Sequence, residues 1–336
     1  MSKINVAING FGRIGRSTLR AFLENPKFNL VAINNPGDPV QLTHLYNYDS
    51  NYKKAHYPAK LDGEYLIIDS HKIRFCHERD PELLPWKELK VDIVLECTGI
   101  FKDQEGCGKH IKAGCKKVII SAPGKDEDLT VVMGINDKDY DPQNHNIISN
   151  ASCTTNCFAP LLKVIDENFG IENCMMTTIH SYTNSQNIQD STHKKDSRRA
   201  RAAASNIIPT STGAAKAIKK VMPHLASKVS ACGMRVPTPT VSIVDSKIIV
   251  SKDITKEEIL AAFEKASLNE LKGILEVNHE PLVSSDYIGS PFSSSIDAEF
   301  IEVLNGNMIQ ILSWYDNEYG YCCRLVDLCN LVASKL

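Results

Sequence analysis

The chain has 336 residues, 23% of them charged, and a formal net charge of −2 at pH 7. That length accommodates two domains, each with its own core, while a near-neutral balance with dispersed basic residues speaks against nucleic acid or a membrane surface as the main partner. No stretch is apolar for long enough to span a bilayer, and eleven cysteines without a Cys-x-x-Cys pair argue against a disulfide framework or a metal centre.

The start, Met1-Ser2-Lys3-Ile4-Asn5, leads into a strand pattern without a targeting segment, so a cytoplasmic protein is expected. Lys3 to Asn9 alternates and ends in Gly10-Phe11-Gly12-Arg13-Ile14-Gly15, after which Arg16 to Leu23 reads as a helix. This is G-x-G-x-x-G between a strand and a helix, the context in which it binds a dinucleotide. Gly10 permits the tight turn, Gly12 admits the pyrophosphate, and Gly15 allows close helix–strand packing. A second strand, Asn29 to Asn34, leads to Asn35, where NAD-selective sites usually carry an acidic residue. An amide does not repel a 2′-phosphate, so NADP should be tolerated. The alternative is that Asp38, or a relaxed NAD site, reads the ribose.

Further strands are expected at Tyr65 to Ile68, Lys72 to Phe75, Val91 to Glu96 and Lys117 to Ile120, with a helix around Gln104 to Ala113. This alternation implies a Rossmann-type, mostly parallel sheet. Ligands lie at the carboxyl ends of such strands, so Cys97-Thr98-Gly99 and Ser121-Ala122-Pro123-Gly124 should line the cofactor cleft.

The apolar run at Ile147-Ile148 ends in Ser149-Asn150-Ala151-Ser152-Cys153-Thr154-Thr155-Asn156. Phe158, Leu161, Leu162, Ile165 and Phe169 then recur with the helical period, which places Cys153 in the first turn of a helix. Free N–H groups and the positive helix end favour a thiolate there, and the hydroxyls of Ser152, Thr154 and Thr155 suit a second anion.

Met175 to His180 reads as a strand, Ser181 to Ala204 as a basic loop, and Thr210 to Lys216 as the start of a helix. Alternation at Lys228 to Val236, Thr240 to Val250, Ala298 to Leu304 and Met308 to Trp314 predicts an α+β domain with a mainly antiparallel sheet. Helices are expected at Lys256 to Ala266 and from Asn317 to Lys335. A thiol becomes a catalytic nucleophile when a base stands beside it, and His180 is the candidate. Cysteine chemistry next to a nicotinamide points to an aldehyde oxidised through a thioester.

The Gly10 segment, Ser149 to Asn156, Ser211-Thr212-Gly213-Ala214-Ala215-Lys216, Arg235-Val236-Pro237-Thr238-Pro239 and Trp314-Tyr315-Asp316-Asn317-Glu318-Tyr319-Gly320 together resemble the phosphorylating glyceraldehyde-3-phosphate dehydrogenase family. The resemblance implies Cys153 as nucleophile and His180 as base. It puts the substrate's C3 phosphate on Thr183 and Arg235, and inorganic phosphate on Ser152, Thr154, Thr212, Gly213 and Arg199. It puts the dinucleotide on Gly10, Gly12, Arg13, Ile14, Gly15, Thr98, Gly99, Ser121 and Tyr321, with Asn317 orienting the nicotinamide amide. A cofactor domain of residues 1–152 and 317–336 and a catalytic domain of residues 153–316 follow. So does a homotetramer in which the loop from Ser181 to Ala204 reaches a neighbour's cofactor. The expected reaction converts D-glyceraldehyde 3-phosphate and inorganic phosphate to 1,3-bisphosphoglycerate, in glycolysis or gluconeogenesis.

The sequence departs from the NAD-dependent pattern at Asn35, where the family has aspartate, and at Ser191-Thr192, where Leu-Pro is usual. Hydroxyls at Ser191 and Thr192, with Arg79 as counter-charge, could hold a 2′-phosphate, so NADP is favoured over NAD. The rivals are erythrose-4-phosphate dehydrogenase, which deacylates with water, a non-catalytic RNA-binding or scaffolding relative, and a Cys-His hydrolase. Whether Cys157, one helical turn from Cys153, forms a regulatory disulfide with it stays open.

Overall fold

The computed structural model describes residues 4–24, 26–194 and 196–336; Lys3, where the first strand was expected to begin, lies outside them. The chain divides into two compact units, the first holding residues up to Ala151 together with Cys322–Leu336, the second Ser152–Tyr321.

The first unit opens with β1 (Asn5–Asn9), α1 (Arg13–Glu24), β2 (Asn29–Asn34), α2 (Pro39–Asn47) and a small hairpin of β3 (Tyr48–Asp49) and β4 (Lys53–Lys54). It continues with β5 (Ala59–Asp62), β6 (Tyr65–Ile68), β7 (His71–Cys76), β8 (Ile93–Glu96), α3 (Gln104–Lys112), β9 (Lys117–Ile120), β10 (Leu129–Thr130) and β11 (Ile147–Ser149). Nine strands form one sheet in the order β10-β11-β9-β8-β1-β2-β7-β6-β5. All neighbours from β10 to β7 are parallel, and β7-β6-β5 closes the edge as an antiparallel meander. The parallel part is dictated by strands such as Ile93–Glu96 and Lys117–Ile120, in which every residue is buried and both faces must be covered. Chain order reverses at β1, which lies between β2 and β8, and ligands of such sheets bind at that switch.

Two elements differ from expectation here. Helix α1 begins at Arg13, not Arg16, because the Arg16 N–H already donates to the Gly12 carbonyl at 3.0 Å, making Arg13, Ile14 and Gly15 its first turn. Helix α2 was not foreseen; Asp38 caps it by accepting from the Val40 N–H at 3.0 Å, and Pro39 opens it.

The second unit holds α4 (Cys153–Phe169), β12 (Ile171–Ser181), β13 (Ile208–Ser211), α5 (Ala214–Val221), β14 (Val229–Val236), β15 (Ser242–Val250) and α6 (Lys256–Leu268). Then come β16 (Leu275–Asn278), β17 (Ser294–Asp297), β18 (Glu302–Leu304) and β19 (Met308–Tyr315). The sheet runs β13-β14-β12-β15-β19-β17-β16, with β18 added beside β19. It is mainly antiparallel, but β12 pairs β14 and β16 pairs β17 in parallel. Helix α4 buries Phe158, Leu161, Leu162 and Ile165 completely, each burial contributing about 1.5–3 kcal/mol.

The expected strand from Ala298 to Leu304 is corrected: only Glu302–Leu304 is extended, and the buried strand of this region is Ser294–Asp297. Its serines can be buried because Ser294 Oγ bonds Ser313 Oγ at 2.8 Å and Ser295 Oγ donates to Glu276 Oε1 at 2.6 Å. The last helix, α7 (Tyr319–Ser334), begins two residues later than expected. It buries Cys322, Leu325, Val326, Cys329 and Val332, and Cys322 Sγ donates to the Ile14 carbonyl at 3.4 Å.

Candidate active site

Cys153 is the first residue of α4. Ala151 turns the chain into the helix with φ +54°, a left-handed conformation that costs a non-glycine residue about 1–3 kcal/mol and clusters at functional sites. Ser152 caps the helix: its Oγ accepts from the Thr155 N–H at 3.1 Å and bonds Thr155 Oγ1 at 2.7 Å. The Thr154 hydroxyl points inward to Tyr315 Oη at 2.9 Å, and the same Oη meets Thr178 Oγ1 at 2.8 Å. Tyr315, which sequence reasoning missed, therefore ties the first turn of α4 to β12.

Period 2 along β12 puts Thr178 and His180 on one buried face. His180 Nε2 lies 3.6 Å from Cys153 Sγ, and its ring stands edge-on to Tyr315 at 6.0 Å. The parallel register sets Arg235 beside His180. Arg235 Nη1 donates to the Ser181 carbonyl at 2.8 Å, and the same carbonyl lies 2.7 Å from His180 Nδ1. Nδ1 also lies 2.6 Å from Arg235 Nη1, which can only donate, so it stands between an acceptor and a donor; in the tautomer whose Nδ1–H meets the carbonyl, the Nε2 lone pair faces the sulfur, as a base requires.

Electrostatics refine the expected thiolate. Burial pushes the Cys153 thiol up, against the opposing pull of the Arg235 guanidinium and of hydrogen bonds from Thr154. Burial first, and then Arg235, drive His180 down to about 3. Burial of the pair thus opposes the pull of the helix end and of Arg235 on the sulfur. A base beside the sulfur offsets what burial costs the thiolate. Cys157 is fully buried, bonds Ser313 Oγ at 3.4 Å, and is pushed up to about 12 by that burial, the setting of an inert structural thiol.

Among the anion-binding candidates, Thr183 Oγ1 bonds Ser185 Oγ at 2.9 Å, and Arg199 Nη1 donates to the same Ser185 oxygen at 3.3 Å. Arg199 Nε also donates to Thr210 Oγ1 at 3.0 Å. Ser185 thus links a residue of each expected phosphate site, a bridge that nothing in the sequence pattern announces. Thr212 Oγ1 accepts from the Ala214 N–H at 3.3 Å at the start of α5, and space is open around Gly213. Asn317 is buried, and the Ser181 and Ser242 hydroxyls both donate to its Oδ1 at 2.9 and 3.0 Å. Its amide N–H₂ is left as the group to present to a carboxamide. Tyr321 is buried at the end of this unit, while Ser191 and Thr192 are exposed in the loop.

In the first unit, a Cβ on Gly10 (φ +97°) would stand 2.7 Å from the Thr98 backbone nitrogen, and one on Gly15 would stand 2.0 Å from the Gly10 carbonyl oxygen. Neither glycine is replaceable, whereas Gly12 faces open space, the cradle a pyrophosphate needs. Ile14 and Gly15 lie in the first turn of α1. The Arg13 guanidinium pairs with Asp49 at 2.6 Å and stacks over Tyr52, so its backbone faces the loop while its side chain holds the β3–β4 hairpin. Thr98 and Gly99 (φ +70°) follow β8, Ser121 follows β9, and Arg79 is exposed after β7. Asn35 Oδ1 accepts from the Phe11 N–H at 3.1 Å, which leaves its amide nitrogen as the free donor. Asp38 Oδ1 caps α2 by accepting from the Val40 N–H, and the residue stays exposed after β2.

The chain is similar to known proteins along nearly its whole length. The family described as "Glyceraldehyde 3-phosphate dehydrogenase, NAD binding domain" matches residues 4–104, and "Glyceraldehyde 3-phosphate dehydrogenase, C-terminal domain" matches residues 152–317. Glyceraldehyde-3-phosphate dehydrogenase of Geobacillus stearothermophilus is 54% identical over 332 residues, 99% of each chain. Glyceraldehyde-3-phosphate dehydrogenase 1 of Bacillus subtilis (strain 168) is 52% identical over the same span and coverage. Glyceraldehyde-3-phosphate dehydrogenase 2 of Streptomyces avermitilis is 51% identical over 334 residues, again 99% of each.

Proposed function

The chain belongs to the glyceraldehyde-3-phosphate dehydrogenase family, and we propose that it performs the family's reaction through Cys153 and His180. It oxidises D-glyceraldehyde 3-phosphate with inorganic phosphate to 1,3-bisphosphoglycerate. The observation that carries the residue assignment is the 3.6 Å approach of His180 Nε2 to Cys153 Sγ, with Arg235 held against the same imidazole.

The bound nicotinamide dinucleotide supplies the hydride acceptor. Cys153 Sγ bonds to the aldehyde carbon while His180 Nε2 takes the thiol proton, which passes to the developing oxyanion to complete the hemithioacetal. His180 then accepts the hemithioacetal hydroxyl proton as the carbon is oxidised to the thioester. Attack by inorganic phosphate breaks the C–S bond, and the departing sulfur regains a proton from the imidazolium. Thr183 and Arg235 anchor the substrate's own phosphate, while Ser152, Thr154, Arg199, Thr212 and Gly213 hold the attacking one. Arg199→Ala should raise KM for inorganic phosphate about 10- to 100-fold, the worth of one charged hydrogen bond. The burst of reduced dinucleotide from the first acylation should survive. A variant with an unchanged phosphate KM would remove Arg199 from that site.

NADP is the favoured cofactor, with NAD as the alternative. Support comes from Asn35, whose oxygen is taken by the Phe11 N–H so that a donor and no negative charge is available to a 2′-phosphate. The exposed Arg79 guanidinium and the Ser191 and Thr192 hydroxyls add to that support. Asn35→Asp should depress kcat/KM for NADP at least about tenfold by like-charge repulsion. Initial rates with NAD and NADP, each with and without phosphate, test both readings at once. A large advantage for NAD in the unsubstituted enzyme would overturn the preference. Turnover independent of phosphate would favour erythrose-4-phosphate dehydrogenase, against which the Ser211 to Lys216 segment argues.

A homotetramer is the proposed assembly, supported by apolar residues left exposed on the second unit's sheet, Met175, Ile249 and Met308 among them. A cytoplasmic location fits eleven free thiols.

A further inference from the structure

Beneath the Gly10 turn, the end of β8 carries a carboxylate that the catalytic scheme does not use. Glu96 is 1% exposed and His110, on α3, is 0% exposed. Asn9 Nδ2 donates to Glu96 Oε2 at 2.6 Å, and His110 Nε2 lies 3.1 Å from the same oxygen. Trp86 Nε1–H donates to His110 Nδ1 at 2.9 Å, so the ring proton sits on Nε2 and points at the carboxylate. Glu96 Oε1 accepts the Thr98 backbone N–H at 2.7 Å and the Thr98 hydroxyl. Four donors therefore meet two oxygens, two on each. Two carboxyl oxygens can accept from all of them, whereas an amide would turn an N–H₂ against at least one pair of donors.

The polarity of the surrounding side chains follows from this. Asn9 donates to Glu96 with its nitrogen, so its Oδ1 is free to accept from Asn34 Nδ2 at 2.7 Å. Asn34 in turn bonds both the N–H and the carbonyl of Glu78 at 2.9 Å. Asn9 immediately precedes Gly10, and Thr98 precedes Gly99. These are the two turns whose backbones meet so closely that no Cβ fits on Gly10.

We infer that Glu96 is a positioning residue for the dinucleotide: its carboxylate clamps Asn9 and Thr98 together, holding the Gly10 turn and the Thr98-Gly99 turn at the separation the cofactor needs. This rests on the proposal that those turns bind the cofactor. Glu96 touches no substrate and acts only through its two neighbours, so its loss should move cofactor binding while leaving the thiol chemistry alone.

The experiment measures Kd for the reduced dinucleotide by fluorescence, on full-length protein whose folding is checked by circular dichroism. Four proteins are compared: the unsubstituted enzyme, Glu96→Gln, His110→Leu and Gly12→Val. Glu96→Gln should weaken Kd and raise KM for the dinucleotide about tenfold, the usual scale for a partner that orients a binding group. KM for the aldehyde and the rate of Cys153 alkylation should not change. A residue that only stabilises the fold would lower the melting temperature and leave the Kd of the folded protein where it was. His110→Leu removes one of the four donors and should weaken Kd by a smaller factor; it decides the matter if Glu96→Gln does not fold. Gly12→Val fills the cradle itself. Loss of binding in Gly12→Val with an unchanged Kd in the folded Glu96→Gln protein, or in His110→Leu where Glu96→Gln does not fold, overturns the positioning role alone. Unchanged binding in Gly12→Val overturns the cofactor site and the inference with it.

Discussion

Cys153→Ser is expected to lower the rate of aldehyde oxidation by about 10⁴-fold or more, the scale seen when a covalent nucleophile is removed. The serine hydroxyl would occupy the same first turn of α4, capped by Ser152, so the fold should be retained. What is lost is chemistry. An alkoxide is far harder to form than a thiolate, and an oxygen ester is a poorer acyl donor to phosphate than a thioester. Steady-state rates with either cofactor, together with a melting curve, check this. Oxidation within tenfold of the parent would mean that another group attacks the aldehyde.

His180→Asn should slow both acylation and Cys153 alkylation by about 10² to 10⁴, the range for a positioned general base. The reason is specific to this site. Burial pushes the Cys153 thiol up, while burial and Arg235 drive the His180 imidazole down to about 3, towards the form that can accept a proton. Asparagine keeps a polar group near the Ser181 carbonyl but offers no base to the sulfur. Stopped-flow acylation and iodoacetamide alkylation at neutral pH are the measurements. Rapid alkylation of the variant would show that the thiol ionises without His180.

How much of this was legible in the sequence depends on how local the determinant is. Gly10, Gly12 and Gly15 could be read because each glycine answers a backbone demand set within a few residues. Cys153 could be placed because Phe158, Leu161, Leu162 and Ile165 announce the helix that begins at it. The partnership of His180 with Arg235 could not be derived from pattern, because it needs β12 and β14 to run parallel, and alternation looks the same in either direction. Tyr315 reads as an ordinary buried aromatic until its hydroxyl is seen bridging Thr154 and Thr178. Ser294–Asp297 reads as a loop because buried serines carry no hydrophobic signal, and the strand was sought at Ala298 to Leu304 instead. Glu96 was seen only as the end of a strand, since its four donors come from Asn9, His110 and Thr98 on three separate segments. The balance at the Cys153 sulfur was half visible for a related reason: the helix end shows in the sequence, while the burial that opposes it does not.

The most direct test of a sulfur-borne acyl intermediate is intact-protein and peptide mass spectrometry after mixing enzyme, oxidised cofactor and D-glyceraldehyde 3-phosphate without inorganic phosphate. The account requires one 3-phosphoglyceroyl group per subunit, mapped to Cys153 and discharged as 1,3-bisphosphoglycerate once phosphate is added. Reduced cofactor formed with no adduct at Cys153, or an adduct that phosphate does not discharge, would contradict it.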